Sequence, residues 1–522
     1  MRTAALVYAG SIRPEALMPF AGGDSAFRRS LAFAAGLPGL ERVLLACRED
    51  FELGTVDLPE SMAFERIGRP AWTVDALLEA IGRAGEGLDA VFLLWADQPF
   101  LDPALAARML ENFRRYRAEY NFADGYPQGL AVEILAPRIV PALRSLAAAL
   151  PPEPARDSIF AALQKDINSF DVETEISPVD LRDLRLTLAC DSKRNHLLAE
   201  RLAAAGLRDE AGALELLPGR LDLLRSLPAF VQVQVEGGCP QSCALCPYPV
   251  LAPDHLSRRD SMPRERFAGL MDQVVSLCGD AVVDISLWGE PSLHPEIGGL
   301  VEEVMARPSL SLIIETSGIG WDPSLVASLA ASHGGTRSET GPAGLERLNW
   351  IVSLDAASPE LYAKLRGPGY EEATAFAGRL LGLFPGAAHV QTLRARENEG
   401  ELEAFWRGWK ARTERVIVQK YSRFAGFLPE RKVADLSPLK RRPCWHLKRD
   451  MAVLLDGTVP LCRDCARGEI LLGNAFASPT GLAEAWAAGE AFHAAQVGAS
   501  LVPGAAYPAP CADCDEYYTY NA

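Results

Sequence analysis

Residues 230–249 read FVQVQVEGGCPQSCALCPYP, a β-like run followed directly by three cysteines. Cys239, Cys243 and Cys246 are spaced C-x3-C-x2-C, and the next cysteine along the chain is Cys278. A structural zinc site takes four ligands, whereas a disulfide takes two. A 4Fe–4S cluster asks for one external ligand at each of its four irons, so three cysteines leave one iron open. The spacing therefore predicts a cluster with a vacant position, with zinc or simple burial as the alternatives.

The same run opens a series of alternating strand and helix patterns. Helical patterns such as Arg264–Leu277 and Glu371–Leu383 lie between apolar runs that indicate strands. The predicted strands are 230–238, 282–290, 310–318, 348–356, 389–397 and 415–422. Six successive βα units fit a six-stranded, partly open (β/α)6 barrel, in which functional side chains gather at the carboxyl ends of the strands. A Gly-rich insertion at 332–344 interrupts the series.

Four motifs along this series resemble those of the radical S-adenosylmethionine (radical SAM) superfamily. They are the three-cysteine loop, WGEP (288–291), ETSG (315–318) and VSLDA (352–356), and each of the last three closes a predicted strand. That superfamily binds SAM at the open iron of a 4Fe–4S cluster. The resemblance implies reductive cleavage of SAM to a 5′-deoxyadenosyl radical, which abstracts hydrogen from a substrate C–H bond. The protein orients the reactants and excludes water and oxygen.

The resemblance also implies roles for individual residues, with the three cysteines holding the cluster. The SAM contacts that it implies are Tyr248, Gly289, Glu290, Ser317, Ser353, Asp355 and Arg394. Glu290 would face the SAM ammonium, because a carboxylate opposite a cation is a strong contact in a dry site. Ser353 and Asp355 would contact the ribose, and Arg394 would pair with the carboxylate, with Arg396 as its competitor. Ordinary roles in turns, caps or packing are the alternative for these residues.

A second group of cysteines lies near the carboxyl end of the sequence. Its members are Cys444, Cys462, Cys465, Cys511 and Cys514. With LLGNAF (471–476) and GLAEAW (481–486), their spacing resembles the SPASM or twitch extension of radical SAM enzymes. The resemblance implies one auxiliary 4Fe–4S cluster on Cys444, Cys462, Cys511 and Cys514, with Cys465 as a substitute ligand. Tetrahedral zinc on four thiolates is the alternative.

The N-terminal part alternates strand and helix patterns of its own, which predicts a parallel sheet covered by helices. ALVYAGSIRP (5–14) and FLLWADQPFLDP (92–103) resemble the first strand and the metal-binding strand of nucleotidyltransferases with a Rossmann-like, GT-A-type fold. The resemblance implies a nucleotide and metal site at Gly10, Arg13 and Asp97. The family's G-x-G-x-R spacing and its lysine are missing, so we expect a degenerate site with little or no catalysis.

These parts predict an α/β chain of four segments. They are a nucleotidyltransferase-like domain (1–195), a helical linker (196–225), a radical SAM core (226–435) and a SPASM/twitch domain (436–522). Their order resembles a family described from spirochetes and called spiro-SPASM, and the resemblance covers essentially the whole chain. It implies a reductant such as flavodoxin or ferredoxin as a partner. The substrate stays open, with a peptide or protein favoured over a sugar or nucleotide.

Composition and charge limit the remaining partners. Hydrophobic residues make up 49% of the 522 residues and charged residues 23%, which is ordinary for globular protein. The net charge of −16 disfavours non-specific binding to nucleic acid or to an anionic membrane. No apolar stretch approaches the ~20 residues that span a bilayer, and the first residues lack a signal-peptide pattern, so we expect a cytoplasmic enzyme.

Two further functions stay open on the sequence. The first is a nucleotidyltransferase that depends on Asp97 and uses the iron–sulfur part for regulation. The second is a non-catalytic scaffold that holds zinc, because paired cysteines also suit tetrahedral zinc. Clustered cysteines in a long cytosolic chain favour metal over disulfides in every case.

Overall fold

The computed structural model describes residues 1–52, 63–337, 346–438, 441–465 and 467–518. Most of the insertion predicted at 332–344 lies outside these residues. The chain divides into two compact units, Met1–Ser226 and Leu227–Ala522. Each unit is built on a mixed or parallel sheet with helices, which confirms the predicted α/β class. None of the helices in the described part of the chain is long and apolar enough to cross a membrane.

The first unit begins with a buried strand and alternates strands with helices. Its strands are β1 (Thr3–Ala9), β2 (Leu40–Arg48), β3 (Ala63–Arg69), β4 (Ala90–Trp95), β5 (Tyr120–Asp124), β6 (Glu133–Leu135) and β7 (Val172–Ile176). Its helices are α1 (Pro14–Leu17), α2 (Ala26–Ala35), α3 (Val74–Ala84), α4 (Pro103–Tyr116), α5 (Val140–Ala147), α6 (Ser158–Leu163), α7 (Lys193–Ala204) and α8 (Glu210–Gly219). Short 3₁₀ turns cover Pro137–Ile139, Ile167–Ser169, Arg182–Leu184 and Leu221–Leu224.

The strands of the first unit pair in the order β3-β2-β1-β4-β6-β5-β7. Strand β6 is antiparallel to β4 and β5, and the other pairs are parallel. Every residue of β1 is buried, which explains its unbroken apolar sequence, because strands in the middle of a parallel sheet are covered on both faces. Helix α4 begins after Asp102, whose carboxylate accepts a hydrogen bond from the Leu105 amide at 2.8 Å.

The second unit contains the predicted βα series and the C-terminal cysteines. Its strands are β8 (Phe230–Val233), β9 (Ala281–Asp284), β10 (Leu310–Thr316), β11 (Leu348–Ser353), β12 (Ala388–Arg394), β13 (Val416–Lys420), β14 (Asp450–Val453), β15 (Thr458–Pro460) and β16 (Leu471–Asn474). Its helices are α9 (Tyr248–Leu251), α10 (Arg264–Cys278), α11 (Ile297–Met305), α12 (Pro323–His333), α13 (Pro359–Leu365), α14 (Tyr370–Leu383), α15 (Leu402–Lys410), α16 (Trp445–Arg449), α17 (Gly481–Ala488) and α18 (Glu490–Leu501). Its 3₁₀ turns are Pro291–Leu293, Glu399–Glu401 and Cys511–Asp513.

Strands β8 to β13 pair in chain order, and each is parallel to the next. The carboxyl ends of parallel strands meet at one edge of a sheet, so the loops that follow these strands lie together. Each strand ends two to six residues before its predicted end; β9, for example, stops at Asp284 rather than at 290. Gly289, Glu290, Ser317 and Asp355 therefore lie in loops beyond the strands. Glu315, Thr316 and Ser353 are the last residues of their strands and still pair in the sheet.

Strand β14 lies outside this order and joins the sheet beside β8, in parallel. It comes from the C-terminal segment, so that segment extends the sheet of the βα series. Strands β15 and β16 form an antiparallel pair next in sequence. On the helical side, Gln273 of α10 donates to the Ala475 carbonyl at 2.8 Å and accepts from the Leu482 amide at 2.9 Å. The cysteine-rich segment is thereby held against the βα series at two places.

An aromatic cluster fills the core between the sheet and its helices. Trp350 on β11 is fully buried. Its ring lies 4.9 Å from Trp321 and 5.7 Å from Phe384, measured between ring centroids, and 6.2 Å from Phe376 of α14. Close packing of this kind lets a single large side chain contribute strongly to stability.

We expect Trp350→Ala to lower the free energy of unfolding of the second unit by about 3–5 kcal/mol, because it leaves a large cavity among rings that cannot close it. Urea unfolding followed by far-UV circular dichroism measures the change. Trp406→Ala is the matched control, because Trp406 is 43% exposed, and we expect it to change stability by less than ~0.5 kcal/mol. Equal losses in the two variants would contradict the assignment of Trp350 to the core.

Candidate functional site

A cavity lies at the carboxyl ends of β8 to β13. It encloses about 1160 Å³, including the part that opens to solvent. All three cysteines of the C-x3-C-x2-C loop line it. The predicted SAM contacts that also line it are Tyr248, Gly289, Glu290, Ser317, Ser353 and Asp355. Residues that are distant in sequence meet here because the strands are parallel and their ends share one edge.

Backbone hydrogen bonds hold the three-cysteine loop in place. The Cys239 amide donates to the His255 carbonyl at 3.0 Å, and the Ala244 amide donates to Leu365 at 2.8 Å. The buried carboxylate of Glu236 accepts from the Gly238 amide at 2.8 Å and from the Ser261 hydroxyl at 2.5 Å. These contacts fix the loop largely through groups other than its thiols, although the Cys243 thiol donates a weak hydrogen bond to the Gln241 side-chain carbonyl at 3.8 Å.

Burial dominates the electrostatics of the three thiols. It raises the pKa of Cys246 to about 12, and it also raises the pKa of Cys239 and Cys243. A metal-bound cysteine is a thiolate, so a bound cation would have to reverse this preference for the protonated form. Without such a cation, burial favours the protonated thiols.

The part of the chain that the structure describes has no group of three or more His, Cys, Asp or Glu side chains that could hold a metal ion. A zinc ion needs its thiolates at about 2.3 Å from one centre, which draws the sulfurs close together. An iron–sulfur cluster distributes its cysteines over separate irons, and its ligands therefore surround a larger object. The three cysteines of the loop supply three of the four ligands that either group takes.

Gly289 brings the second strand's loop against the three-cysteine loop. Its φ is +77°, in the left-handed region, and a Cβ there would lie 2.1 Å from the Glu236 carbonyl oxygen. The next residue, Glu290, donates its amide to the Gly238 carbonyl at 2.8 Å. Only glycine permits this approach, because any side chain would collide with backbone.

Glu290 is the central acid of the cavity and is 2% exposed. Its carboxylate accepts hydrogen bonds from the Thr316 hydroxyl at 2.5 Å and from the Ser317 amide at 2.8 Å. Burial raises the pKa of this carboxyl group. A cationic ligand beside Glu290 would favour the ionised form, so the site is suited to a group such as an ammonium.

Ser353 and Asp355 extend the polar edge beyond Glu290. The Ser353 hydroxyl donates to Glu315 at 2.7 Å and accepts from Gln391 at 3.1 Å. Asp355 has a φ of +62°, accepts from the Leu393 amide at 2.7 Å and pairs with Arg366 at 2.5 Å. A non-glycine residue held in this conformation at a cavity wall is typical of a functional site.

Tyr248 and Trp288 form an aromatic wall. Their rings are parallel, with centroids 6.2 Å apart. The Tyr248 hydroxyl donates to the Gly237 carbonyl at 2.8 Å and accepts from Gln234 at 3.1 Å. Both hydrogen bonds of the Tyr248 hydroxyl are therefore made within the protein. The aromatic rings line the cavity, where they could contact a flat heterocycle.

Arg394, the predicted partner of the SAM carboxylate, is not among the described residues that line the cavity. Its guanidinium forms two hydrogen bonds to Glu399, at 2.9 Å and 2.6 Å. Sequence analysis also missed several charged residues of the cavity, namely Asp284, Glu315, Arg366, Lys420 and Arg463. Asp284 and Glu315 could have been found from their places at strand ends, but the three cations carry no local signal.

The C-terminal cysteines pack together in a small core of their own. Cys444, Cys465 and Cys511 are buried there with Leu461 and Tyr517, and Cys462 packs against them. Burial raises the pKa of Cys444 to about 12 and of Cys511 to about 11. The thiol of Cys514 lies close enough to Cys444 for their charges to interact, although burial is the main cause of its raised pKa.

Cys465 belongs to the same group of thiols. A hydrogen bond from Cys462 lowers the pKa of Cys465, and the same contact is the main cause of the raised pKa of Cys462. Four thiols therefore share one core, and Cys514 lies near enough to Cys444 and Cys462 for their charges to interact. Four thiols would suffice for a cluster. The geometry leaves both Cys462 and Cys465 as candidate ligands.

The predicted site of the first unit is occupied by an arginine. Asp97 follows β4, and its carboxylate accepts a hydrogen bond from Arg156 at 2.6 Å. The same Arg156 nitrogen donates to Asp191 at 3.1 Å. A divalent cation would have to displace this guanidinium, so the donor set does not fit the metal that the resemblance implied.

The loop after β1 is also filled. A Cβ at Gly10 would lie 2.6 Å from the Trp72 ring and from the Tyr8 hydroxyl. Trp72 donates its indole N–H to the Cys47 carbonyl at 2.8 Å. Aromatic side chains thus lie where the resemblance placed a phosphate loop, and the Arg13 side chain makes no hydrogen bond or ion pair within the described residues.

The fold and the cavity define an α/β protein whose parallel sheet carries a three-cysteine site at its carboxyl edge. No protein-family model matches the chain. An uncharacterized protein of Treponema pallidum (strain Nichols) is 38% identical to it over 371 residues, which are 70% of this chain and 98% of that protein. The chain belongs to the family of this Treponema pallidum protein. A second uncharacterized protein of that strain is 48% identical over 62 residues, 12% of this chain and 28% of that protein.

Similar solved structures include BtrN in complex with AdoMet and 2-DOIA. That structure is 17% identical in sequence, the match covers 52% of this chain and 87% of that chain, and the TM-score is 0.35. Streptococcus suis SuiB bound to S-adenosylmethionine shows 15% identity, covers 48% of this chain and 64% of that chain, and has a TM-score of 0.37. A cytidylyltransferase from Leptospira borgpetersenii shows 15% identity, 43% and 96% coverage, and a TM-score of 0.34. TM-scores this low carry no argument about the function of this chain.

We expect Asp284 to make stability depend on pH. Burial raises its pKa from 3.8 to about 6, although Gln232 donates to it at 3.0 Å. The folded state thus binds a proton more tightly than the unfolded state. The contribution of this tighter proton binding to the free energy of unfolding is fully present below about pH 4, and it is lost as the pH rises through about 6. Asp284→Asn should remove this loss and become more stable than the wild type above pH 6, by up to about 3 kcal/mol.

Urea unfolding of both proteins between pH 4 and pH 7.5 measures this difference. Glu403→Gln is the control, because the Glu403 side chain is 76% exposed, and it should change stability equally little at every pH. A difference between Asp284→Asn and wild type that stays constant with pH would contradict the assignment.

Proposed function

We propose that the chain is a radical SAM enzyme with one auxiliary 4Fe–4S cluster in a SPASM or twitch extension, of the kind called spiro-SPASM. The observation that carries the proposal is the cavity at the carboxyl edge of β8 to β13. There the three cysteines face Glu290, Ser317, Ser353 and Asp355 across one space. A cluster held by three thiolates has an open iron, and the polar residues around it supply the contacts that SAM requires.

When bound, the cluster and SAM supply a 5′-deoxyadenosyl radical, which abstracts hydrogen from the substrate. Cys239, Cys243 and Cys246 would hold three of the irons. The fixed backbone of their loop would keep the fourth iron facing the cavity. The thiols are half-buried, and bound SAM would cover the side that opens to solvent, which would keep water and oxygen away from the metal.

The remaining residues of the cavity would bind and orient SAM. Glu290 would accept a hydrogen bond from the SAM ammonium, with Thr316 and Ser317 holding its carboxylate in place. Ser353 and Asp355 would contact the ribose hydroxyls. Fixing each group before the reaction removes the entropy cost of arranging it in the transition state.

An aromatic face and an ion pair support this arrangement. Tyr248, stacked on Trp288, would contact the adenine ring. Arg366 pairs with Asp355 and orients that carboxylate. Arg394, paired with Glu399, takes no part in the proposal.

We propose that the auxiliary cluster is held by Cys444, Cys462, Cys511 and Cys514, with Cys465 able to replace Cys462. The shared core of Cys444, Cys462 and Cys511 supports it, as does the charge interaction of Cys514 with Cys444. The substrate is a peptide, a protein or a small polar molecule, and a flavodoxin or ferredoxin supplies the electron.

Anaerobic reconstitution with iron and sulfide tests the proposal. We expect about eight irons per chain and release of 5′-deoxyadenosine from SAM on reduction with dithionite. Cys243→Ala should abolish this release, because an incomplete ligand set cannot hold the SAM-binding cluster. Cys278→Ala is the matched control: Cys278 is buried on α10, away from the cavity, and its variant should keep the activity.

Two results would contradict the proposal. One is release of 5′-deoxyadenosine by Cys243→Ala at the wild-type rate. The other is a purified protein that contains zinc alone and binds no SAM. The Cys444→Ala variant tests the second cluster. An iron content per chain that falls to about half while SAM cleavage is retained would support the assignment of that cluster to the C-terminal cysteines.

A further inference from the structure

Three cations line the cavity among the described residues: Arg366, Lys420 and Arg463. Two of them already have partners. Arg366 pairs with Asp355 at 2.5 Å, and Lys420 forms close ion pairs with Glu516 and, at 3.4 Å, with Asp515. Arg463 makes no hydrogen bond or ion pair with any residue that the structure describes, and its Nε is buried. The cavity thus contains one cation that is ready to accept an anion.

An unpaired, partly buried guanidinium is costly, because it loses water and gains no hydrogen bond in exchange. The carboxylates of Asp464, Glu516, Glu315 and Asp284 act on Arg463 only at longer range. They offset part of its charge but leave its fork of N–H donors unused. Such a fork matches a carboxylate or a phosphate, which can accept two parallel hydrogen bonds.

The acids on the same wall offer a complementary feature. Glu315 accepts from Ser353 and Gln391, both at Oε1, while its Oε2 accepts no hydrogen bond from the described residues. Asp284 is held by Gln232 at 3.0 Å. A ligand bound at Arg463 would therefore meet hydrogen-bond acceptors nearby, which favours a hydroxyl or an ammonium beside its anionic group.

We propose that Arg463 binds an anionic group of the substrate, either a carboxylate or a phosphate, and that Glu315 accepts a hydrogen bond from a donor next to it. The proposal rests on the proposed function, since it takes SAM to occupy the side of the cavity near Glu290. Arg463 lies between Cys462 and Cys465 in sequence. The segment that holds the second group of cysteines therefore also selects the substrate.

Phosphate and acetate are the probes. ³¹P and ¹³C line broadening of each anion is measured with the full chain, both with and without SAM and clusters. We expect wild type to broaden one of the two signals, which identifies the anion, and Arg463→Gln to reduce the effect at least fivefold. Arg467→Gln is the matched control, because that neighbouring side chain is 59% exposed and pairs with Glu469. It should behave as wild type.

Arg463 could pair with an anionic group of the substrate or with the carboxylate of SAM itself. SAM affinity, measured by equilibrium dialysis, distinguishes these two possibilities. We expect Arg463→Gln to bind SAM within twofold of wild type. A loss of tenfold or more would show that Arg463 pairs with the SAM carboxylate, and it would overturn the proposal. No broadening by wild type, or equal broadening by Arg463→Gln, would overturn it as well. Absence of SAM cleavage in wild type would instead contradict the proposed function, since anion binding is measured without it.

A second inference comes from the first unit. Arg156 donates through one nitrogen to both Asp97 and Asp191, and its guanidinium lies over the Trp95 ring at 4.8 Å. Asp97 is 6% exposed, and its Oδ1 has no hydrogen-bond partner among the described residues. Two carboxylates that converge from different loops, one of them with an unused oxygen, form a ligand set for a divalent cation.

We infer that the Arg156 guanidinium is a built-in replacement for a divalent cation. One positive charge between two carboxylates offsets most of their mutual repulsion. A metal ion that approached them would be repelled by the guanidinium. The first unit therefore does not perform metal-dependent nucleotidyl transfer. Any ligand that it binds is recognised without metal.

Mn²⁺ binding to the full chain, followed by EPR of the free ion, tests this inference. We expect wild type and Asp97→Asn to bind Mn²⁺ equally. Arg156→Ala should gain one Mn²⁺ site, and the double variant Arg156→Ala/Asp97→Asn should lack that site. Arg144→Ala is the matched control, because it breaks an exposed pair with Asp75 and should create no site. A wild-type site that disappears in Asp97→Asn would overturn the inference even if Arg156→Ala does not fold. A folded Arg156→Ala without a new site would also overturn it.

Discussion

Gly289 approaches the Glu236 carbonyl so closely that even one added methyl group would collide with it. This contact joins the loop after β9 to the loop that carries the three cysteines. It is reinforced by the hydrogen bond from the Glu290 amide to Gly238. The position of the Glu290 carboxylate relative to the thiols follows from these two backbone contacts. The rest of the cavity is then built around that carboxylate, through Thr316, Ser317 and the residues beyond them.

The cysteine-rich C-terminal segment depends on the same sheet. Strand β14 extends the sheet beside β8, and Gln273 anchors the segment on the helical side. A small loop-rich segment would otherwise have little core of its own. Its attachment also brings Arg463 to the cavity wall, so one structural element serves both the second group of thiols and the cavity.

Much of the fold could be predicted because it rests on local patterns. Continuous apolar runs in β1 and β4 and alternating strand and helix patterns in 230–422 reflect burial in parallel sheets, and the structure has strands at these places. Strand ends were less predictable. Residues such as those of WGEP look like strand in sequence, but their backbone groups bond to neighbouring loops. These hydrogen bonds join residues that are far apart in sequence, so a local sequence pattern does not predict them.

The sequence by itself determined which residue types the site offers, because three thiols at this spacing and a Gly-Glu pair in the loop after a strand can be read without the fold. Tertiary structure alone decided which charges are free. Arg394 pairs with Glu399, whereas Arg463 at the cavity has no partner among the residues that the structure describes. In the first unit, Arg156 lies between Asp97 and Asp191. Ion pairs form between residues far apart in sequence, and long side chains choose among several partners. Their pairing therefore depends on distances that only the folded chain defines.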